Sequence, residues 1–206
     1  MKKILILGAT GTFGKRLVTA LKEKDFKLTL ASRNATSVYK ADGKTLAVDC
    51  DVTNLSLMTN LVKGHDVVYC AVSGEQLPIV AQNLVAAMQQ CHISRLLFMG
   101  AVGIYNEIPN KMDGDDNVDN NPDQIPNRKA VDIIEESLLN YTILRPGYLR
   151  EGSSSDYVLT QKGETAKGYI STIPSVVNLA VKLIEDDCLF TRQSVSITKD
   201  MTYEKE

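Results

Sequence analysis

An α/β fold, a single domain whose doubly wound parallel sheet carries helices on both faces, is predicted by three features of this sequence. Strand-like apolar runs and helical periods alternate five times in about the first hundred residues, and strand–helix–strand order lays successive strands parallel through right-handed crossovers. The run Asp66-Val67-Val68-Tyr69-Cys70-Ala71-Val72 is apolar at nearly every position, as a central strand covered on both faces must be. A glycine-rich turn, Gly8-Ala9-Thr10-Gly11-Thr12-Phe13-Gly14, joins the first apolar run to the first helical period.

Each element has its own signal. Lys3-Ile4-Leu5-Ile6-Leu7 is short and apolar enough for a buried strand, and Leu17, Val18 and Leu21 mark one face of a helix over Lys15 to Lys22. Residues 27–32 alternate as a second strand. Asp42-Gly43-Lys44 is a turn, and Leu46-Ala47-Val48 forms a third strand running into Asp49-Cys50-Asp51-Val52. A short helix from Asn54 to Lys63 is closed by Gly64, and Leu77, Val80, Ala81, Leu84, Val85 and Met88 give the clearest helical period.

Arg95 to Met99 is a fifth strand. The stretch 106–124, rich in Asn and Asp, interrupts the alternation, as a lid or a solvated loop would. Pro126 opens a helix carrying Val131, Ile134 and Leu138, and Tyr141 to Arg145 is a sixth strand stopped by Pro146-Gly147. Beyond Ser153-Ser154-Ser155, Tyr157 to Thr160 and Gly168 to Ser171 flank a polar turn and predict a small hairpin. Pro174 opens the last helix, and Ser194 to Thr198 alternates as a closing strand.

A chain of 206 residues buries one sizeable core, so a single domain over 1–206 is expected, with 148–206 completing a small substrate-side region. The formal net charge of −2 offers no electrostatic footprint for nucleic acid, which points to small-molecule partners. The basic and apolar start stops at Gly8, too short for a signal peptide, and no apolar stretch has the length of a membrane span. Cys50, Cys70, Cys91 and Cys188 are widely spaced without a C-x-x-C pair, so neither a disulfide framework nor a metal site is expected, and a reducing cytoplasm fits best.

The glycine turn has a physical use. Backbone without Cβ atoms approaches a pyrophosphate closely, and the first turn of the following helix presents unpaired N–H groups and a positive dipole end. In this Rossmann-like reading Gly8 makes the tight turn, Gly11 the close approach and Gly14 the helix-to-strand contact, with Thr10, Thr12 and Phe13 between them. The second strand ends Ala31-Ser32-Arg33, with no carboxylate to hold a ribose 2′-hydroxyl and an Arg suited to a 2′-phosphate, so NADP(H) is preferred over NAD(H). Asp51 is placed to accept from the adenine amino group while Val52 covers the ring. Ala71, Val72 and Ser73, followed by Gly74, give a small apolar wall for the ribose and nicotinamide.

These residues, together with Lys129 and Leu144-Arg145-Pro146-Gly147, resemble the atypical short-chain dehydrogenase/reductases, and within them the NAD(P)H-binding group of NmrA-like proteins and biliverdin/flavin reductases. The resemblance implies that Lys129 holds the nicotinamide ribose and that Pro146 and Gly147 border the cofactor. In that family a Ser after the fifth strand and a Tyr four residues before the Lys carry out proton transfer. This sequence has Ala101 and Ile125 there, and neither can exchange a proton.

Hydride transfer to an acceptor that needs no strong protein acid survives this loss: a flavin, a quinone or a conjugated tetrapyrrole. Tyr105 and Tyr148 are the candidate catalytic hydroxyls beside Lys129, and Arg145 could hold a substrate carboxylate or a neighbouring acid. The expectation is therefore an NADPH-dependent reductase of a small conjugated acceptor. The competing reading is a non-catalytic NmrA-like redox sensor that binds NADP(H) and regulates a partner protein. An open pocket beside the nicotinamide lined by Tyr105, Tyr148 and residues of the 106–124 stretch favours the first, and a nicotinamide face blocked by side chains the second. His65 and His92 precede strands at the opposite edge and are expected to be structural.

Overall fold

The computed structural model describes residues 1–153 and 156–202; Ser154 and Ser155 of the serine run lie outside them. Ten strands and six helices follow in the order β1 (Lys2–Leu7), α1 (Thr12–Lys22), β2 (Phe26–Ser32), α2 (Ala35–Val38), β3 (Thr45–Asp49), α3 (Leu55–Val62), β4 (Val67–Cys70), α4 (Leu77–Gln90), β5 (Arg95–Met99), α5 (Ile125–Glu135), β6 (Asn140–Pro146), β7 (Tyr148–Arg150), β8 (Val158–Gln161), β9 (Ile170–Thr172), α6 (Ile173–Glu185) and β10 (Gln193–Thr198). The main sheet has the order β3-β2-β1-β4-β5-β6-β10-β8. Every pairing in it is parallel except β10 with β8, so order reverses at β1 and β4, where the doubly wound fold places its ligand crevice.

The pleat of β1 divides the core. Ile4 and Ile6 point to the layer of α1 and α6, where they meet Leu17, Val18 and Val176. Leu5 and Leu7 point to the layer of α3, α4 and α5, with Met58, Leu84 and Val131. All four β1 side chains are fully buried, each stabilising by about 1.5–3 kcal/mol relative to exposure. Helix α1 begins at Thr12, inside the glycine turn rather than at Lys15, because Gly11 takes the N-cap position and Phe13 is buried against Tyr69, their rings stacked at 5.9 Å.

Two elements depart from the sequence reading. The expected hairpin does not form: β8 pairs antiparallel with β10 at the edge of the main sheet, while β9 pairs parallel with β7 in a separate two-stranded sheet. β8 takes the open edge that β10 leaves beyond the sixth strand, and β9 takes β7 as its partner instead. Leu138 is not on the buried face of its helix; α5 ends at Glu135 and Leu138 is 87% exposed on the following turn.

The acidic stretch is neither a free lid nor a plain loop. It folds as three 3₁₀ turns, Asn110–Met112, Gly114–Asp116 and Pro122–Gln124, over a small cluster of Val102, Ile108, Met112 and Ala166. The Asn117 side chain both accepts from the Ile108 N–H and donates to its carbonyl, closing the segment on itself. Among the described residues no helix is long and apolar enough to cross a membrane, and no His/Cys/Asp/Glu group could hold a metal ion.

Candidate functional site

A cleft of about 540 Å³ opens at the carboxyl ends of β1, β2, β3 and β4. Its wall is made by Gly8, Thr10 and Gly11 from the glycine turn, and by Arg33 beyond β2. Asp51 and Val52 beyond β3, then Ala71, Val72 and Ser73 beyond β4, complete the part foreseen in the sequence. Adjacent strand ends bring these residues together because the parallel register sets Leu7 beside Ala31 and Cys70.

The three glycines have different physical reasons. Gly8 adopts φ +80°, and a Cβ there would lie 2.7 Å from the Ala71 carbonyl oxygen. At Gly14 a Cβ would lie 2.2 Å from the Gly8 carbonyl oxygen, so α1 can pack against the turn only without a side chain. Gly11 is different: a Cβ would meet only the Gly8 carbonyl oxygen, at an ordinary 3.4 Å. The packing of the protein therefore leaves the space at Gly11 open toward the cleft. Gly11 also caps α1 without a side-chain hydrogen bond, and no acid stands in the first turn, so the helix N-terminus keeps its positive end for an anion. Thr12, exposed, and Phe13, whose ring is in the core, contribute to this seat through that first turn and not as lining side chains.

Beyond β2 the polar groups are linked to the turn. Thr10 Oγ1 donates to Asn34 Oδ1 at 3.2 Å, and Ser32 Oγ lies 3.3 Å from the same oxygen, with Arg33 exposed between Ser32 and Asn34. Tyr39 donates to the Ala9 carbonyl at 2.7 Å and braces the turn from behind. Asp51 accepts from the Thr53 hydroxyl at 2.7 Å and the Thr53 N–H at 3.0 Å, both on Oδ1. Those bonds hold its carboxyl below the ordinary carboxylate range, with the Arg33 charge adding to the effect. Asp49 points elsewhere, accepting from the Thr36 N–H and hydroxyl at the first turn of α2.

A second cavity of about 420 Å³ adjoins the first, Glu75 standing in the wall of both. Gly74 borders it on one side, and Pro122, Asp123, Ile125, Pro126 and Asn127 on the other. Ile125 is 40% exposed there. Lys129 lies one turn further along α5, exposed and without an ion pair among the described residues.

Other expected residues are elsewhere. Tyr105 lines neither cavity; its hydroxyl lies 2.9 Å from Glu135 Oε1 and 3.1 Å from Ser194 Oγ, beneath α5, and burial raises its pKa. Arg145, fully buried, pairs with Glu107, so it serves a neighbouring acid rather than a ligand. Tyr148 is 57% exposed on β7 and carries the Arg150 guanidinium over its ring. Pro146 is buried, and Gly147 packs so tightly under Tyr169 that a Cβ would overlap its carbonyl oxygen. That pair joins β6 to β7 and does not line the cleft.

The profile of the NAD(P)H-binding family matches residues 8–187. The chain belongs to this NAD(P)H-binding family. Among solved structures, a Rossmann-fold NAD(P)-binding family protein from Shigella flexneri is 31% identical, covering 100% of this chain and 98% of that one with a TM-score of 0.85. A short-chain dehydrogenase/reductase (wide type) from Veillonella parvula in complex with NADP is 24% identical over 100% and 98%, with a TM-score of 0.88. An anaerobillin reductase from Escherichia coli shares the fold at 16% identity, covering 97% and 98% with a TM-score of 0.80. No curated protein matches the sequence.

For an NAD(P)H-binding protein the cleft holds more than the sequence reading named. Asn34, Cys50, Thr53, Glu75, Gln76 and Val80 also line it. Each follows a strand end within a few residues or opens the next helix, and that position was the available signal. Burial, then the Asp51 charge, raises the Cys50 pKa, which makes it a wall residue and a poor nucleophile.

Proposed function

We propose that this protein is an NADPH-dependent reductase of a small conjugated acceptor. The observation that carries the reading is the open cavity joined to the cofactor cleft through Glu75, with Ile125 in its wall where the related dehydrogenases carry their proton-transferring Tyr. A non-catalytic sensor has no need of such space beside the reacting end.

The chain's own residues supply position and electrostatics. Gly8, Thr10, Gly11 and the first turn of α1 receive the pyrophosphate, with Gly14 locking the helix to the turn. Arg33, assisted by the Thr10, Ser32 and Asn34 group and with no carboxylate at the end of β2, favours the 2′-phosphate of NADP(H) over NAD(H). Asp51 and Val52 take the adenine; Ala71, Val72 and Ser73 face the nicotinamide ribose, and the free ammonium of Lys129 is available to it. When bound, the cofactor supplies a hydride. Solvent supplies any proton, because Ala101 and Ile125 cannot and Tyr105 is engaged with Glu135.

NADPH oxidation followed across flavins, quinones and tetrapyrroles tests this. Acceptor-dependent turnover in one class is expected. NADPH binding without turnover of any acceptor would instead favour the sensor.

A further inference from the structure

The cavity beyond the cofactor cleft has an unusual balance of groups for a reductase pocket. Among the described residues its charged lining is Glu75 and Asp123, both exposed carboxylates, with no Lys, Arg or His in its wall. The nearest cations on α5 lie outside it: Arg128 is paired with Asp132 at 2.9 Å, and Lys129 stands one turn beyond Ile125. The remaining lining is the side chains of Pro122, Ile125, Pro126 and Asn127, with the backbone at Gly74. Such a pocket offers an apolar shelf for a flat body and a negative rim, and it repels carboxylate, phosphate or sulfonate groups.

We propose that the acceptor is a small cationic conjugated C=N⁺ compound, an iminium. This rests on the reductase reading and narrows its acceptor class. The chemistry balances without a protein acid. Hydride from NADPH forms a C–H bond at the iminium carbon, the C=N π pair moves to nitrogen and cancels its positive charge, and the products are NADP⁺ and a neutral amine. No proton is needed to complete the step. A saturated ketone reduced the same way leaves an alkoxide, a strong base that calls for a placed proton donor, the task that Ala101 and Ile125 cannot perform. A pocket with two carboxylates and no proton donor at the Ala101 and Ile125 positions therefore matches an acceptor that arrives positive and needs no protein acid during hydride transfer.

The experiment uses the full chain with three probes: an N-methyl dihydroisoquinolinium salt, the neutral quinone menadione, and an anionic naphthoquinone sulfonate. NADPH binding is measured separately by the quenching of its fluorescence. Reduction of the isoquinolinium salt with the highest kcat/KM of the three is expected. Its KM should rise with added salt, and by roughly threefold to fivefold in Asp123→Asn, the effect of removing one exposed charge partner, while NADPH affinity in that variant stays unchanged. If NADPH binds and the quinones are reduced but the isoquinolinium salt is not, or if Asp123→Asn leaves its KM unmoved, the iminium assignment falls and the reductase reading stands. If NADPH binds and none of the probes, flavins or tetrapyrroles is reduced, or if NADPH does not bind, both fall together.

Discussion

Gly11 and Gly14 look equivalent in the sequence and differ in what they face. A methyl group at Gly14 would drive into the Gly8 carbonyl oxygen at 2.2 Å, whereas one at Gly11 meets nothing closer than 3.4 Å. Gly14→Ala should therefore cost about 3 kcal/mol of stability or more, while Gly11→Ala should cost about 1 kcal/mol or less. The loss at Gly11 should appear as NADPH affinity reduced roughly tenfold or more, since the methyl occupies the space toward the phosphates. Thermal melts and NADPH titration of both variants separate the two effects; equal destabilisation would contradict the assignment. Arg33→Ala should weaken NADPH by about 1.5–3 kcal/mol and NADH hardly at all. Calorimetry with both dinucleotides checks this, and equal losses would remove Arg33 from the 2′-phosphate.

That the glycine turn, Arg33 and Asp51 meet at one cleft was legible because each follows a strand end whose own signal is strong. Tyr105 and Arg145 were not. Both belong to a buried polar group assembled from β6, β10, α5 and the loop after β5, and only the folded chain brings Glu107, Glu135 and Ser194 to them. Removing the Glu107 carboxylate leaves the Arg145 charge buried and uncompensated, so Glu107→Ala should destabilise by about 3–5 kcal/mol in urea unfolding. It should do so without changing NADPH affinity per folded molecule, because neither residue lines the cleft. The failed hairpin has the same origin. Local turn chemistry spoke for β8 and β9 pairing, but the open edge of β10 lies more than thirty residues further along the chain.

Just before β4, His65 lies 2.8 Å from Thr29 Oγ1 through Nε2 and 3.2 Å from the Val62 carbonyl through Nδ1. Burial lowers its pKa below the ordinary 6.5. Between its folded pKa and 6.5 the unfolded chain binds more protons, so stability present above pH 6.5 is lost as pH falls through that window. In His65→Gln the acid-side slope of the melting temperature should be shallower than in the parent.

The doubly wound parallel class of the sheet was legible through β6, since periodicity and strand–helix alternation are short-range signals, whereas the strand order itself came from the folded chain. The cleft proposed as the cofactor seat spans β1 to β4 of that sheet and is present only in the folded state, so ligand and fold stability are linked. With NADPH at about a hundred times its Kd, the folded state should gain about 2.7 kcal/mol. For a chain of this size that raises the melting temperature by about 5–10 °C, read by differential scanning fluorimetry. No shift with either dinucleotide would contradict cofactor binding.

The segment after Gly147 has two duties that cannot be pulled apart. Through α6, β10 and β8 it supplies part of one core layer and the last two strands of the main sheet, and between those same elements it inserts the small β7–β9 sheet. The chain crosses from one duty to the other and back within a few dozen residues. A segment built this way cannot be exchanged as a cassette or trimmed off, because any cut that removes it also strips the sheet. The shape of the second cavity can therefore change by point substitutions at its own lining positions after β4 and at the start of α5, without touching that segment.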